Sequence, residues 1–186
     1  MSAVTSPPPK LLTAEEYAAL PDDGRITELV KGVIVEMPSP TPSHGYVCLN
    51  FASAFRDYVR KHDIGRVVTN DSGVVTERGP DTTRGPDVAY YSYERVPRGP
   101  LPPGYWPTPE LAVEVRSPSD RTAAVMAKVG EYLAAGVRVV LVAWPEQTTI
   151  MAYSEEFFNR SFGAGEDLTL PELFLDFRVP VRTLFE

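Results

Sequence analysis

The stretch Leu111-Ala-Val-Glu-Val115, the linker Arg116-Ser-Pro-Ser-Asp120, the helix-patterned run Arg121 to Ala135, then Gly136 and Val137-Arg-Val-Val-Leu-Val-Ala-Trp144, decide the fold. Residues 111–115 read as a strand with apolar residues on both faces. Residues 121–135 carry Val125, Val129, Tyr132 and Leu133 as one apolar stripe, and Gly136 is a natural stop. Residues 137–144 form a second strand rich in Val. Strand, helix, strand within about 34 residues is a βαβ crossover, so the two strands are expected side by side and parallel.

Working outward, Thr148 to Tyr153 is expected to add an antiparallel edge after the Pro145-Glu146 turn. Upstream, residues 66–70, 73–77 and 87–91 look like short strands, and His44 to Lys61 reads as a helix with Val47, Phe51, Phe55 and Tyr58 on one face, ended by Gly65. Lys31-Gly32 between residues 26–30 and 33–37 marks a β-hairpin. Thr13-Ala-Glu-Glu16 matches a capping box and opens a short helix that stops near Pro21. The sum is an α/β (α+β) arrangement: a mixed β-sheet flanked by helices, with an N-terminal helix and hairpin. Residues 1–11 read as a flexible Pro-rich lead and 12–186 as a single domain.

Composition narrows the function. The chain has 186 residues with 18 Lys plus Arg against 25 Asp plus Glu, a net charge of −7. A generic nucleic-acid coat protein needs an excess of cations, so that class is disfavoured, and a local basic face is left open. The charge is uneven: Arg56 to Arg98 holds eight basic and seven acidic residues, whereas Glu146 to Glu186 holds three and eight. A phosphate ligand therefore belongs to the middle of the chain. One cysteine, Cys48, and two histidines, His44 and His62, leave no disulfide framework and no zinc motif; Cys48 reads as a core thiol. The longest apolar run is too short to span a bilayer and the first ten residues have no apolar signal core, so a cytoplasmic location without membrane contact is expected.

Five residues are candidates for chemistry. Glu114 sits inside a strand that otherwise reads as buried, where a carboxylate is costly unless it is paired, protonated or bound to metal. A pair with Arg116, two residues on and on the same face, or with a lysine is the structural alternative. Asp87 follows Gly85-Pro86 at the mouth of an apolar strand, within reach of a carboxylate on a neighbouring strand. Two such acids repel unless a cation lies between them, and a hard cation such as Mg²⁺ favours these oxygens; alone, Asp87 is an ordinary turn aspartate. Lys128 falls at the edge of its helix's apolar stripe and can point over Glu114 or snorkel to solvent. Glu28 lies in the hairpin strand, where it completes an acidic cluster or pairs across the strands. His44 stands at a helix start, which favours the neutral ring, suited to a phosphate or carboxylate, or to simple capping. Ser117-Pro118-Ser119 reads as helix-entry chemistry with a serine cap.

The set E-L-x-x-G, a following His, P-D-V, E-V-x-S-P-S and K-x-x-E-Y-x-x-x-G-V, met here as Glu28 to Gly32, His44, Pro86 to Val88, Glu114 to Ser119 and Lys128 to Val137, resembles the Uma-two family of restriction-endonuclease-like proteins over roughly Leu12 to Leu184. That resemblance implies the PD-(D/E)XK nuclease fold and a metal-dependent endonuclease acting on DNA. By that resemblance Asp87 and Glu114, with the Val115 carbonyl and Glu28, would hold Mg²⁺ or Mn²⁺, Lys128 would serve the attacking water or transition state, and His44 would steady a phosphate or the acids. In the wider superfamily the lysine stands two residues after the second acid. Here Arg116 occupies that place, and Lys128 matches the family's relocated lysine. Ala124 stands where the family often has an acid. The resemblance also makes DNA the expected partner, with Arg56, Arg60, Lys61, Arg66, Arg78 and Arg84 as candidate backbone contacts. A homodimer is expected because cutting two strands takes two sites, and Tyr105-Trp106-Pro107 is either an interface or a loop packed on itself. A nuclease fold that no longer cuts and works as a binding or assembly module is the alternative function.

Overall fold

A computed structural model describes residues 10–157 and 159–186. Most of the expected lead therefore lies outside the described residues. Where it meets the domain the chain is tied down: Lys10 Nζ pairs with Glu16 at 2.6 Å, and Leu12, the first residue of the domain, donates its N–H to the Gly32 carbonyl at 2.9 Å.

Helix α1 (Ala14–Ala18) is closed at its start by the capping box, Thr13 and Glu16 each accepting the other's backbone N–H. Strands β1 (Thr27–Val30) and β2 (Val33–Glu36) pair antiparallel about Lys31 and Gly32, both at positive φ. Gly32 is required twice over, since a Cβ there would stand 2.6 Å from the Leu11 Cβ. Helix α2 (Pro42–His62) starts on Thr41, whose Oγ1 accepts the His44 N–H. It ends on Asp63 in the left-handed conformation rather than at Gly65. Gly65 instead opens β3 (Gly65–Thr69), where a Cβ would meet the Tyr91 carbonyl at 2.2 Å. Its glycine serves close strand approach, not helix termination.

Strands β4 (Val74–Glu77) and β5 (Thr82–Arg84) complete a four-stranded sheet ordered β2-β1-β5-β4. The three-residue β5 is too short to show a period in sequence. The crossover forms as expected: β7 (Leu111–Val115) and β8 (Val139–Trp144) are parallel, joined through α3 (Thr122–Ala134). With β6 (Val88–Ser92), β9 (Thr149–Tyr153) and β10 (Arg160–Phe162) they build a six-stranded sheet ordered β10-β9-β8-β7-β6-β3. Strand β9 is thus interior, not an edge, because β10 pairs along its outer side. No serine caps α3. Its N-cap is Arg121, and the linker is held by Asp120, which accepts the Ser117 N–H at 2.8 Å.

Alternation along β7 sends Leu111, Val113 and Val115 to one face and Ala112 and Glu114 to the other. On the first face α2 packs through Val47, Phe51, Phe55 and Val59, together with the hairpin β11 (Asp167–Leu170) and β12 (Phe174–Pro180). On the second, α3 packs through Val125, Val129 and Tyr132. Both layers are anchored by fully buried rings such as Phe51, Phe55 and Tyr132, each contributing on the order of 2–3 kcal/mol. The Tyr105-Trp106-Pro107 segment folds onto its own chain, with Trp106 edge-on to Tyr91 and its Nε1 donating to the Pro102 carbonyl. No described helix is long and apolar enough to cross a membrane.

Candidate active site

The two acids meet because of strand register. Val88 pairs with Val113, so Asp87, one step before β6, lies across from Glu114. Asp87 Oδ2 accepts the Val115 N–H at 2.6 Å, which fixes its carboxylate over the end of β7. Its Oδ1 faces His44 Nε2 at 3.5 Å, and the same nitrogen donates to the Val115 carbonyl at 2.8 Å. The Asp87 carboxylate is the chief reason why His44 has a raised pKa, outweighing burial. The direction is opposite to the one a helix start alone gives: a carboxylate in direct contact outweighs a helix dipole. Behind it, Cys48 Sγ lies 3.4 Å from His44 Nδ1, and burial holds the thiol well above its ordinary pKa. His44, Cys48 and Asp87 thus bring a ring nitrogen, a sulfur and a carboxylate oxygen within 4.8 Å of one another, and without a cation burial favours the thiol form of Cys48.

Glu114 reaches back under α3. The Tyr132 hydroxyl donates to its Oε1 at 2.8 Å, and Lys128 Nζ stands 3.4 Å from its Oε2. Positions 128 and 132, one turn apart, put both groups over one strand residue. Arg116 is not its partner. Burial is the largest influence on Glu114 and pushes its carboxyl up to about 7, with Asp87 and Glu28 adding to it. Lys128 also touches Glu28 Oε1 at 2.8 Å. Burial works against the ammonium, but Glu114 and Glu28 outweigh it and hold Lys128 above its ordinary pKa. It does not snorkel; it is a partly buried donor to two carboxylates.

Glu28 is 5% exposed and fully engaged, by Lys128, by Arg84 Nη1 at 2.8 Å and by the Gly85 N–H at 3.2 Å. Burial alone would raise its pKa; Lys128 and Arg84 bring it below the ordinary value. Both sequence alternatives for Glu28 hold at once: it belongs to the acidic cluster and is salt-bridged. Arg84 spends its fork on Glu28 and Glu131, which removes it from the candidate backbone contacts. Arg78 is held by Glu15 and Asp81, and Arg66 by the Pro97 and Gly99 carbonyls. Arg56, Arg60 and Lys61 remain exposed on α2.

All five candidate residues line one open cleft of about 640 Å³. Two residues with a part in it escape a reading of the sequence. Tyr132 reads as core, and only the structure shows its hydroxyl on Glu114. Asp71 stands in the polar turn Asn70-Asp71-Ser72-Gly73, with residues 70 and 71 both at positive φ. It enters the cleft because Gly85 lets the backbones touch: a Cβ on Gly85 would lie 2.8 Å from the Asp71 Cβ. Burial, then Asp87, raises the Asp71 pKa.

The donor set suits a hard divalent cation. Asp87 Oδ1, the Glu114 carboxylate and the Val115 carbonyl are all oxygens, on adjacent strands, and a hydrogen-bonding N–H of His44 already lies between two of them. The full complement of an acid pair, a held lysine and a cleft is what phosphoryl or acyl hydrolysis assisted by such a cation requires.

Comparison with known proteins narrows the choice. No curated protein matches the sequence. The fold matches the crystal structure of a protein titled a putative nuclease belonging to DUF820, from Anabaena variabilis, with a TM-score of 0.81 and 20% identity, covering 94% of this chain and 97% of that one. The Uma2 family model, described as "Putative restriction endonuclease", matches residues 14–182. With a match of that extent, the chain belongs to the Uma2 family of restriction-endonuclease-like proteins.

Proposed function

We propose that the protein is a metal-dependent endonuclease that hydrolyses phosphodiester bonds in DNA. The observation that carries this reading is the convergence of Asp87 and Glu114 from adjacent strands beneath Lys128, at the mouth of an open cleft. Asp87, Glu114 and the Val115 carbonyl hold Mg²⁺ or Mn²⁺, with Glu28 behind them. When bound, the cation supplies a lowered pKa for water and polarises the phosphate. Val115 N–H fixes the Asp87 carboxylate, and Tyr132 and Lys128 fix that of Glu114. Glu28 and Glu114 keep Lys128 protonated, so it acts as a donor that orients the attacking water and stabilises developing charge, not as a base. His44 braces Asp87 and the Val115 carbonyl. Severing both strands of a duplex takes two such centres, which a pair of chains provides.

Nicking of supercoiled plasmid with Mg²⁺ or Mn²⁺ tests this, comparing wild type with Glu114→Ala purified identically. Cleavage by the wild type alone is expected. Cleavage by both proteins points to a contaminant or a different site. Cleavage by neither, together with divalent-cation binding that is absent or indifferent to Asp87 and Glu114, favours a nuclease fold that binds without cutting.

A further inference from the structure

We propose that a second, smaller cavity beside the cleft is a subsite for a phosphate flanking the one presented to Asp87 and Glu114, with Arg116 as its cation. This rests on the nuclease reading and adds where the substrate's neighbouring charge is held. The problem it answers is electrostatic. The cleft is lined by five acids, Glu28, Asp71, Asp87, Glu114 and Asp120, in a protein of net charge −7, so a polyanion needs a compensating cation nearby; the Asp120 carboxylate is taken by the Ser117 N–H and does not pair with Arg116. Lys128 and His44 line the cleft too, but Lys128 is committed to Glu28 and Glu114, and His44 to Asp87 and the Val115 carbonyl.

Arg116 is the exception. It lines a cavity of about 300 Å³ that shares Thr41, His44, Ser117 and Pro118 with the cleft. Its guanidinium lies over the Trp144 ring at 4.7 Å, and its Nη2 donates to the Asp120 carbonyl at 2.9 Å. Its buried Nε meets no acceptor, and Arg116 pairs with no carboxylate among the described residues. Glu146, the acid on the rim of this cavity, stays exposed and forms no ion pair with it. A half-buried cation without a counter-ion is unfavourable, and a planar fork matches phosphate oxygens. The ring of Trp144 holds the guanidinium in place from one side; with Nη2 on the Asp120 carbonyl and Nε out of solvent, Nη1 is the donor left for an anion in the cavity that Arg116 lines. The position that carries the lysine elsewhere in the superfamily is thus free, with Lys128 in that role, to grip the strand beside the cut.

The test is equilibrium binding of a fluorescein-labelled 20-base-pair duplex, read by anisotropy in Ca²⁺ across a NaCl series, for wild type, Arg116→Gln and Arg116→Met. Each neutral variant is expected to bind about tenfold more weakly, with a slope of log K against log salt shallower by about one. Arg116→Met keeps an aliphatic stem against Trp144, and melting temperatures identify a variant that fails to fold. A second measurement needs no substitution. Methylphosphonates placed one at a time around the mapped cut should reveal one flanking linkage whose neutralisation weakens wild-type binding by a similar factor. Wild-type affinity and slope in a folded neutral variant, or no sensitive flanking linkage, overturns the subsite and leaves the nuclease reading standing. No binding of DNA by the wild type overturns both.

Discussion

Asp81 and Asp87 stand six residues apart, each one step before a strand, and they have opposite surroundings. Asp81 is closed: it accepts N–H groups from Ala14 at 2.8 Å and Gly79 at 3.1 Å and the Arg78 guanidinium at 2.8 Å, tying α1 to β5. Those backbone donors hold its carboxyl below the ordinary aspartate range. Asp87 has one short donor, the Val115 N–H, and turns its other oxygen to His44 and the cleft. Residue type and strand position are the same, so the difference lies in how many donors the surrounding chain supplies. A saturated carboxylate is a structural tie, and an under-supplied one beside a second acid keeps an oxygen open to a further partner, which is the role proposed for Asp87.

The comparison can be broken in several ways. The largest effect is expected from Asp87→Asn, which should lower Mn²⁺-dependent nicking on the order of 10³-fold with little change in melting temperature; Asp81→Asn should leave activity per folded molecule intact. Equal losses in the two variants would erase the distinction. Next comes Lys128→Ala. It removes the one cation shared by Glu28 and Glu114 and should destabilise the protein by about 3 kcal/mol in urea unfolding, as well as abolishing cleavage. If Lys128→Ala leaves cleavage untouched, the lysine's role is misassigned. Asp81→Asn should cost about 2 kcal/mol, a melting shift of several degrees, with no effect on divalent-cation affinity by calorimetry.

The smallest and most diagnostic effect is in pH. A carboxyl whose folded pKa is lowered stabilises above its usual value, and that stability disappears as pH falls. The deficit of Asp81→Asn relative to wild type should therefore vanish in acid. Glu114 has the opposite sign. Its folded pKa, about 7 against 4.5, means that the metal-free protein loses stability as pH rises across that window, by up to about 1.4 kcal/mol per unit. Glu114→Gln should remove this slope, so the variant gains on wild type from pH 5 to 7.5. Cation affinity in the wild type should climb over the same range as Glu114 ionises. Parallel wild-type and Glu114→Gln curves would mean that Glu114 is ionised throughout.

The sequence carries the crossover because Val-rich strands around an amphipathic helix have few other solutions, and it carries the pairing of Asp87 with Glu114 because strand mouths converge. Other features depend on distant packing. Strand β5 is three residues long, and β10 to β12 lie in a tail without strong alternation. Asp71 sits in a turn composed like any other turn, and nothing local says that it lines the same cleft as Glu28, 43 positions earlier. Arg84 looks like a surface cation until Glu131 from α3 is placed beside it. The side of the sheet on which a charge emerges is written in the chain; the partner it meets there is not.

Glu114, Lys128 and Tyr132 all belong to one continuous crossover, and that order has a consequence during synthesis. Glu28, His44, Asp71 and Asp87 leave the ribosome first, as acids and a histidine without their lysine. Lys128 follows only after more than two thirds of the chain has been made, and β8, the strand against which α3 is folded back, comes later still. A truncated or stalled product that ends before α3 would carry most of the acids but have no assembled centre. The proposed centre would then assemble only once the crossover from β7 through α3 to β8 has been made, so shorter products would lack it.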